Sequence, residues 1–180
     1  GLIGGSIAHA LKEIYPSSNI IAYNYYKTKT HKKLEAAKQD GIVDNISTSL
    51  SDFSDCDVIF LCAPVLTNIS YLNELSPYIS ENCLLTDVGS VAELGLNKNF
   101  IGGHPMTGSE KTGYANSDSS YLKDAYYILT PTEEVPAEYT SWLKNFIITA
   151  GSHCEIMDYK THDNVTAAIS HCPHIISASL

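Results

Sequence analysis

The chain of 180 residues contains no arginine: its eleven basic residues are all lysine, set against twenty Asp and Glu for a net charge of −9. Nucleic acids and anionic membrane surfaces are held by clustered basic side chains. Outside the run Lys27 to Lys33 the lysines are scattered, so neither kind of partner is expected. Cysteine is sparse and odd in number, at 56, 62, 83, 154 and 172, with no C-x-x-C spacing. That excludes a disulfide framework and a zinc knuckle and points to a reducing, cytoplasmic setting. No apolar run approaches membrane-spanning length, no signal peptide is visible, and repeats and low-complexity stretches are missing. There is no initiator Met either; the chain opens on Gly1, inside what reads as a motif, so a segment upstream is expected. The length suffices for one core-bearing domain and the beginning of a second.

What is present alternates between two kinds of periodicity. Gly1-Leu-Ile-Gly-Gly-Ser6 leads into apolar positions 7, 8, 10, 11 and 14 at helical spacing, stopped by Pro16. A glycine-rich turn feeding a helix offers free backbone N–H groups and a positive dipole end, which suits a phosphate. Gly1-x-x-Gly4 fits the second and third glycines of G-x-G-x-x-G, the first lying upstream with its strand; tight helix packing is the plainer explanation of the same residues. Asn19 to Asn24 reads as a short buried strand, ending about 20 residues after the glycines, where dinucleotide folds place a ribose-reading acid. Asn24 stands there instead, which leaves room for a 2′-phosphate, and Lys27 and Lys29 follow; an ordinary polar strand end is the alternative.

Thr30 to Asp40 predicts a helix with Thr30 as N-cap and Gly41 as stop. Asp57 to Cys62 predicts a central parallel strand, Leu66 to Pro77 a helix, and Cys83 to Asp87 another buried strand. Further strands are expected at Asn99 to Gly102, Tyr126 to Thr130 and His153 to Ile156, with a helix from about Val135 to Ala150. Strand and helix alternating in this way predict βαβ units and a mostly parallel sheet. Ligands of such sheets sit beyond the carboxyl ends of the strands, here Asn24, Cys62 to Val65 and Asp87 to Ser90. Beyond Asp158 a helix from Thr161 to Leu180 is expected, the start of a second domain. The boundaries are 1–157 and 158–180.

Two stretches concentrate polar chemistry. Ile101 to Gly113 holds four glycines, His104 and the pairs Thr107-Gly-Ser109 and Glu110-Lys111, a composition suited to a backbone-built pocket and poor for a core element. A surface loop that happens to contain a histidine is the plain reading; a neutral-pH base aimed into a site is the sharper one. The second stretch is His162-Asp163 and Ser170-His171-Cys-Pro-His174. His171 and His174 share a helix face, and Pro173 leaves the carbonyl of Ile169 without its helical donor. No further Cys, His or Glu at supporting spacing completes a zinc set, so no metal is expected.

Gly1-Leu-Ile-Gly-Gly-Ser6, Thr86-Asp-Val-Gly-Ser-Val91, Gly102-Gly-His-Pro-Met-Thr-Gly-Ser-Glu-Lys111, and His162-Asp163 followed by Ser170-His171-x-Pro173-His174 together resemble the prephenate dehydrogenases of tyrosine biosynthesis. The resemblance spans essentially the whole chain. It implies a Rossmann-type dinucleotide-binding domain joined to an all-helical, dimer-forming domain. It also implies oxidative decarboxylation of prephenate to 4-hydroxyphenylpyruvate, with hydride passing to NAD or, given Asn24, NADP. His104 would accept the proton of the substrate hydroxyl, and Ser90 would share that hydroxyl at the nicotinamide end. His174 and His171 would line the substrate pocket, with Ser109 and Glu110 at its mouth. Gly1, Leu2, Ile3, Gly4 and Ser6 would surround the pyrophosphate. Asn24 and Tyr25 would meet the ribose, while Cys62, Ala63, Pro64, Val65 and Gly89 would flank the cofactor.

The same likeness implies a homodimer through residues beyond Leu180 and feedback by tyrosine. The family's carboxylate-binding arginine is expected in that later part, since this chain has none. Val91 runs directly into Ala92 where the family has Lys and further helix, so residues are expected to be absent from this stretch. Arogenate dehydrogenase is the nearest alternative, and a hydroxyacid dehydrogenase with a Lys base a more distant one. A nucleotide-sensing module without turnover is the alternative from another class.

Overall fold

The computed structural model describes residues 1–25, 29–89, 98–107 and 110–171, with 170 and 171 described by their backbone alone. Helix α1 (Leu2–Ile14) buries Ile7, Ala8 and Ala10 and ends just before Pro16. Strand β1 (Ile21–Tyr23) is half-buried rather than buried, and pairs in parallel with β2 (Asn45–Ser47). β2 has no counterpart in the sequence reading, because Asn-Ile-Ser carries one apolar side chain in three. Between them, α2 (Lys32–Gln39) begins one residue later than expected. His31, not Thr30, caps it, with Nδ1 accepting from Lys33 N–H at 3.1 Å. Gly41 ends the helix with φ of +75°, a conformation that favours glycine.

The main sheet has five strands in chain order: β3 (Val58–Leu61), β4 (Leu84–Asp87), β5 (Phe100–Pro105), β6 (Tyr126–Pro131) and β7 (His153–Ile156). All neighbours are parallel except β5 and β6. α3 (Val65–Leu75) connects β3 to β4, and α4 (Ala137–Thr149) connects β6 to β7. Successive residues of β4 serve opposite faces, as a strand requires. Leu84 packs with Ile7, Tyr127, Leu129 and Phe146 of α1, β6 and α4, while Leu85 packs with Leu61, Leu72 and Leu75 of β3 and α3. Helices thus cover both faces, and the strands read as continuous apolar runs for that reason.

β5 corrects one expectation with consequences for the site. A strand was expected only as far as Gly102, with a loop or backbone-built pocket beyond it, yet the strand runs on through Gly103 and His104 to Pro105, and Gly103 is buried. A Cβ at position 103 would collide with the backbone carbonyl of Asp87 and lie 3.1 Å from Thr86 Oγ1. Glycine is therefore present because β4 and β5 approach closely there, not because the chain turns.

A cavity of about 1400 Å³ separates the two sheets, lined by β1 and β3 and by Ile7 and Leu11 of α1. Both β1 and β3 lie at sheet edges among the described residues. No helix of the described residues is long and apolar enough to cross a membrane.

Candidate active site

Parallel strands deliver their carboxyl ends to one edge, and four elements meet there. α1 begins at Gly1 with no side-chain cap, so the amides of Leu2, Ile3 and Gly4 precede any carbonyl that could accept them within the helix. Gly4 lies against the end of β3: a Cβ on it would stand 2.9 Å from Cys62 Cβ. Burial, helped by the Asp87 carboxylate, pushes the Cys62 thiol up to about 12. It is a neutral wall of the site, not a nucleophile.

The turn Cys62 to Val65 is held by Asn68, a fully buried side chain of α3. Its Oδ1 accepts from Ala63 N–H at 3.0 Å and its Nδ2 donates to Leu61 O at 3.1 Å. At the end of β4, Asp87 is fully buried; Oδ1 accepts from Gly103 N–H at 2.9 Å and Oδ2 from Gly89 N–H at 3.0 Å. One carboxylate thereby fixes the Gly89 turn and the strand that carries His104. Val65 packs against Gly89, closing the edge between the ends of β3 and β4. In the sequence Asp87 is visible only as a strand end, and Asn68, set in an apolar helix, gives no signal.

His104 pairs in register with Ile128 of β6 and is partly exposed. Its Nδ1 lies 3.0 Å from Nε2 of His162, with ring centroids 5.2 Å apart and planes at 65°. His162 is 2% exposed, on α5 (Tyr159–Thr166), and its Nδ1 lies 3.0 Å from Asp163 Oδ1. Two of the motifs singled out in the sequence, 58 residues apart, are in direct contact.

α5 is set by Asp158, whose Oδ1 accepts from the backbone N–H groups of Lys160 and Thr161 at 3.0 Å each, with Thr161 Oγ1 donating to Oδ2. The helix starts at Tyr159 rather than Thr161 and widens into a π-helical turn over Ala167–His171. Hydrogen bonds from the Thr161 hydroxyl and the two N–H groups hold the Asp158 carboxyl below its ordinary 3.8. A depressed carboxyl contributes stability that is complete above the ordinary value and lost as pH falls through the lowered one. Asp158→Ala is accordingly expected to lower Tm by about a few degrees at neutral pH. That difference should close below pH 3.8, checked by thermal melts at the two pH values.

Other expected site residues sit differently. The Ser6 side chain is fully buried, its hydroxyl donating to Leu2 O at 3.0 Å and accepting from Asp118 N–H at 3.2 Å. This corrects its expected place at the pyrophosphate: Ser6 lies on the inner face of α1 with Ile7 and Ala10. Asn24 is 1% exposed; its Nδ2 donates to Lys29 O at 3.1 Å and its Oδ1 accepts from His31 N–H at 3.2 Å. It builds the loop after β1 instead of presenting its amide outward, while Tyr25 is exposed beside it. Glu110 is exposed, six positions beyond His104. Ser90, Ser109 and His174 lie outside the described residues, as does the side chain of His171. Among the described residues no group of three or more His, Cys, Asp or Glu is arranged to hold a metal.

Residues 7–156 match the family described as prephenate dehydrogenase, nucleotide-binding domain. The whole chain aligns with the prephenate dehydrogenase of Bacillus subtilis at 35% identity, covering 50% of that protein. Among solved structures it is similar to prephenate dehydrogenase from Aquifex aeolicus in complex with hydroxyphenyl propionate and NAD+, at 30% identity and a TM-score of 0.87. It is similar also to Synechocystis arogenate dehydrogenase, at 30% identity and a TM-score of 0.88. Each of these two covers 99% of this chain and is itself covered to 64%. The chain spans about half the length of the curated relatives it matches.

Proposed function

Since the chain belongs to the prephenate dehydrogenase family through a Rossmann-type nucleotide-binding domain, we propose that the full protein oxidises and decarboxylates prephenate to 4-hydroxyphenylpyruvate in tyrosine biosynthesis. The observation that carries the reading is the contact of His104 with His162 at the same strand edge as the open amides of α1. The fit to a dinucleotide rests on those amides and on Gly4, whose missing Cβ lets α1 approach β3 closely. Gly1, Leu2, Ile3 and Gly4 would hold the pyrophosphate by backbone, and Tyr25, Cys62 to Val65 and Gly89 would flank the rest. The cofactor, when bound, accepts the hydride. Whether NAD or NADP serves is left to the assay, because Asn24 supplies no carboxylate against a 2′-phosphate.

His104 accepts the proton of the substrate's ring hydroxyl as hydride leaves the same carbon. The C–H pair departs as hydride and the hydroxyl becomes a carbonyl; loss of the ring carboxylate as carbon dioxide then sends two electrons through the ring to that oxygen, which takes back the proton from His104 as the ring aromatises to a phenol. Aromatisation supplies the drive, so the protein's task is to accept one proton and to position the ring. Ser90 sharing the hydroxyl, His171 and His174 lining the pocket, and Ser109 and Glu110 at its mouth belong to the same proposal.

The domain organisation belongs to the same proposal. The cavity between β1 and β3 fits a further parallel strand, supplied from before Gly1 and leading into α1. Residues 1–157 would then form the nucleotide-binding unit and 158–180 open a helical domain that pairs two copies and receives tyrosine as feedback inhibitor. Arogenate is the second reading, favoured by the likeness to the Synechocystis enzyme. Formation of NADH and NADPH by the full-length protein with prephenate and with arogenate tests both. Turnover of prephenate is expected; cofactor binding with no turnover of either substrate would reduce the reading to a nucleotide-sensing module.

A further inference from the structure

We propose that His162 is a positioning residue that fixes the tautomer of His104, so that the lone pair of His104 lies on Nε2. The inference rests on the reading of His104 as the base. Asp163 stands on the first turn and a half of α5 with a largely exposed side chain, and its Oδ1 is 3.0 Å from His162 Nδ1. An ionised carboxylate only accepts, so the proton of a neutral His162 is drawn to Nδ1. Its Nε2 then carries a lone pair, and two groups converge on that atom: Thr166 Oγ1 at 3.2 Å and His104 Nδ1 at 3.0 Å. The threonine hydroxyl can donate to it. The His104 nitrogen can meet it favourably only as N–H.

With the proton on Nδ1, His104 has its acceptor on Nε2, the ring atom farther from the backbone. The opposite tautomer would set two lone pairs against each other at 3.0 Å, at an atom of His162 that is out of water. In water a free imidazole side chain mildly prefers the proton on Nε2, the arrangement with its acceptor on the wrong nitrogen for this role. The contact with His162 reverses that preference. Asp163, His162 and Thr166 all stand on α5, so the helix that Asp158 caps delivers the whole device to the end of β5.

The test reads the tautomer itself. In full-length protein labelled with 15N at histidine, ring-nitrogen correlation spectra are expected to show His104 with its proton on Nδ1. In His162→Leu the proton is expected to move to Nε2 or to distribute over both atoms. kcat should then fall about 10²-fold, toward the low end of what a general base contributes, with KM nearly unchanged. His162→Gln keeps an acceptor oxygen on a side chain of similar reach and is expected to restore the Nδ1 proton and kcat to within roughly 5-fold. A His104 proton on Nε2 in the unaltered protein overturns the inference, as does an Nδ1 proton that persists in His162→Leu. The reading of His104 as base is judged separately, by the activity of His104 variants, and can fail while the tautomer assignment stands.

Discussion

His104→Asn in the full-length protein is expected to lower kcat with prephenate by about 10² to 10⁴-fold while leaving cofactor affinity nearly unchanged. Asparagine is chosen because it isolates one atom. Its amide nitrogen occupies the position of the imidazole Nδ1 and can donate to His162 Nε2, which in the native protein lies 3.0 Å from Nδ1. The strand pairing of residue 104 with Ile128 uses the backbone and is untouched. The substitution lacks only the second ring nitrogen, the atom proposed to accept the substrate's proton. The cofactor contacts proposed at Gly1 to Gly4 lie on α1 and do not involve this side chain. Protonation of the imidazole also removes the acceptor, so native kcat should decline on the acid side, whereas the residual rate of His104→Asn should not follow that limb. Fluorescence titration with NAD and NADP, beside kcat profiles against pH, checks both halves. An Asn variant with native kcat would remove His104 from the chemistry and leave the fold assignment unaffected.

The sequence was a good guide to elements and a poorer one to the direction of side chains. Continuous apolar runs such as Val58 to Leu61 and Leu84 to Leu85 exposed the buried parallel strands, and Gly41 marked a helix end that the structure shows with positive φ. Gly103 misled, because in composition a close strand approach and a loop look alike. Only the position of the Asp87 carbonyl distinguishes them. Ser6 was read outward from its motif, although its place beside Ile7 and Ala10 on α1 already put it on the inner face. The role of Asn68 depends on where the end of β3 falls, and no spacing rule encodes that. His162 and His104 were each visible as motifs; their meeting required β5 and α5 to be folded against the same edge.

Gly103→Ala is expected to destabilise the protein by about 3 kcal/mol, at the upper end of what overpacking costs, and to depress turnover as well. The added methyl would meet the backbone carbonyl of Asp87, and backbone cannot swing aside as a flexible side chain can. Its other neighbours, Thr86 Oγ1 at 3.1 Å and Tyr127 Cε1 at 3.2 Å, are buried residues of β4 and β6, so relief in either direction disturbs the core. The strand would have to move away from β4, which stretches the 2.9 Å bond from Gly103 N–H to the Asp87 carboxylate. Weakening that bond takes one donor from a buried carboxylate, and the same carboxylate holds the Gly89 turn. Displacement of β5 carries His104, the next residue, away from the position proposed for the substrate, and a misplacement on the order of 1 Å costs about 10²-fold in rate. Asp87→Asn provides the comparison. It leaves the volume alone but replaces one acceptor oxygen by a donor facing an N–H, at a cost of about 2 kcal/mol. Urea unfolding of the two variants separates the causes: a steric origin makes Gly103→Ala the more damaging. Equal or reversed losses would show that the carboxylate, not close strand packing, governs this edge.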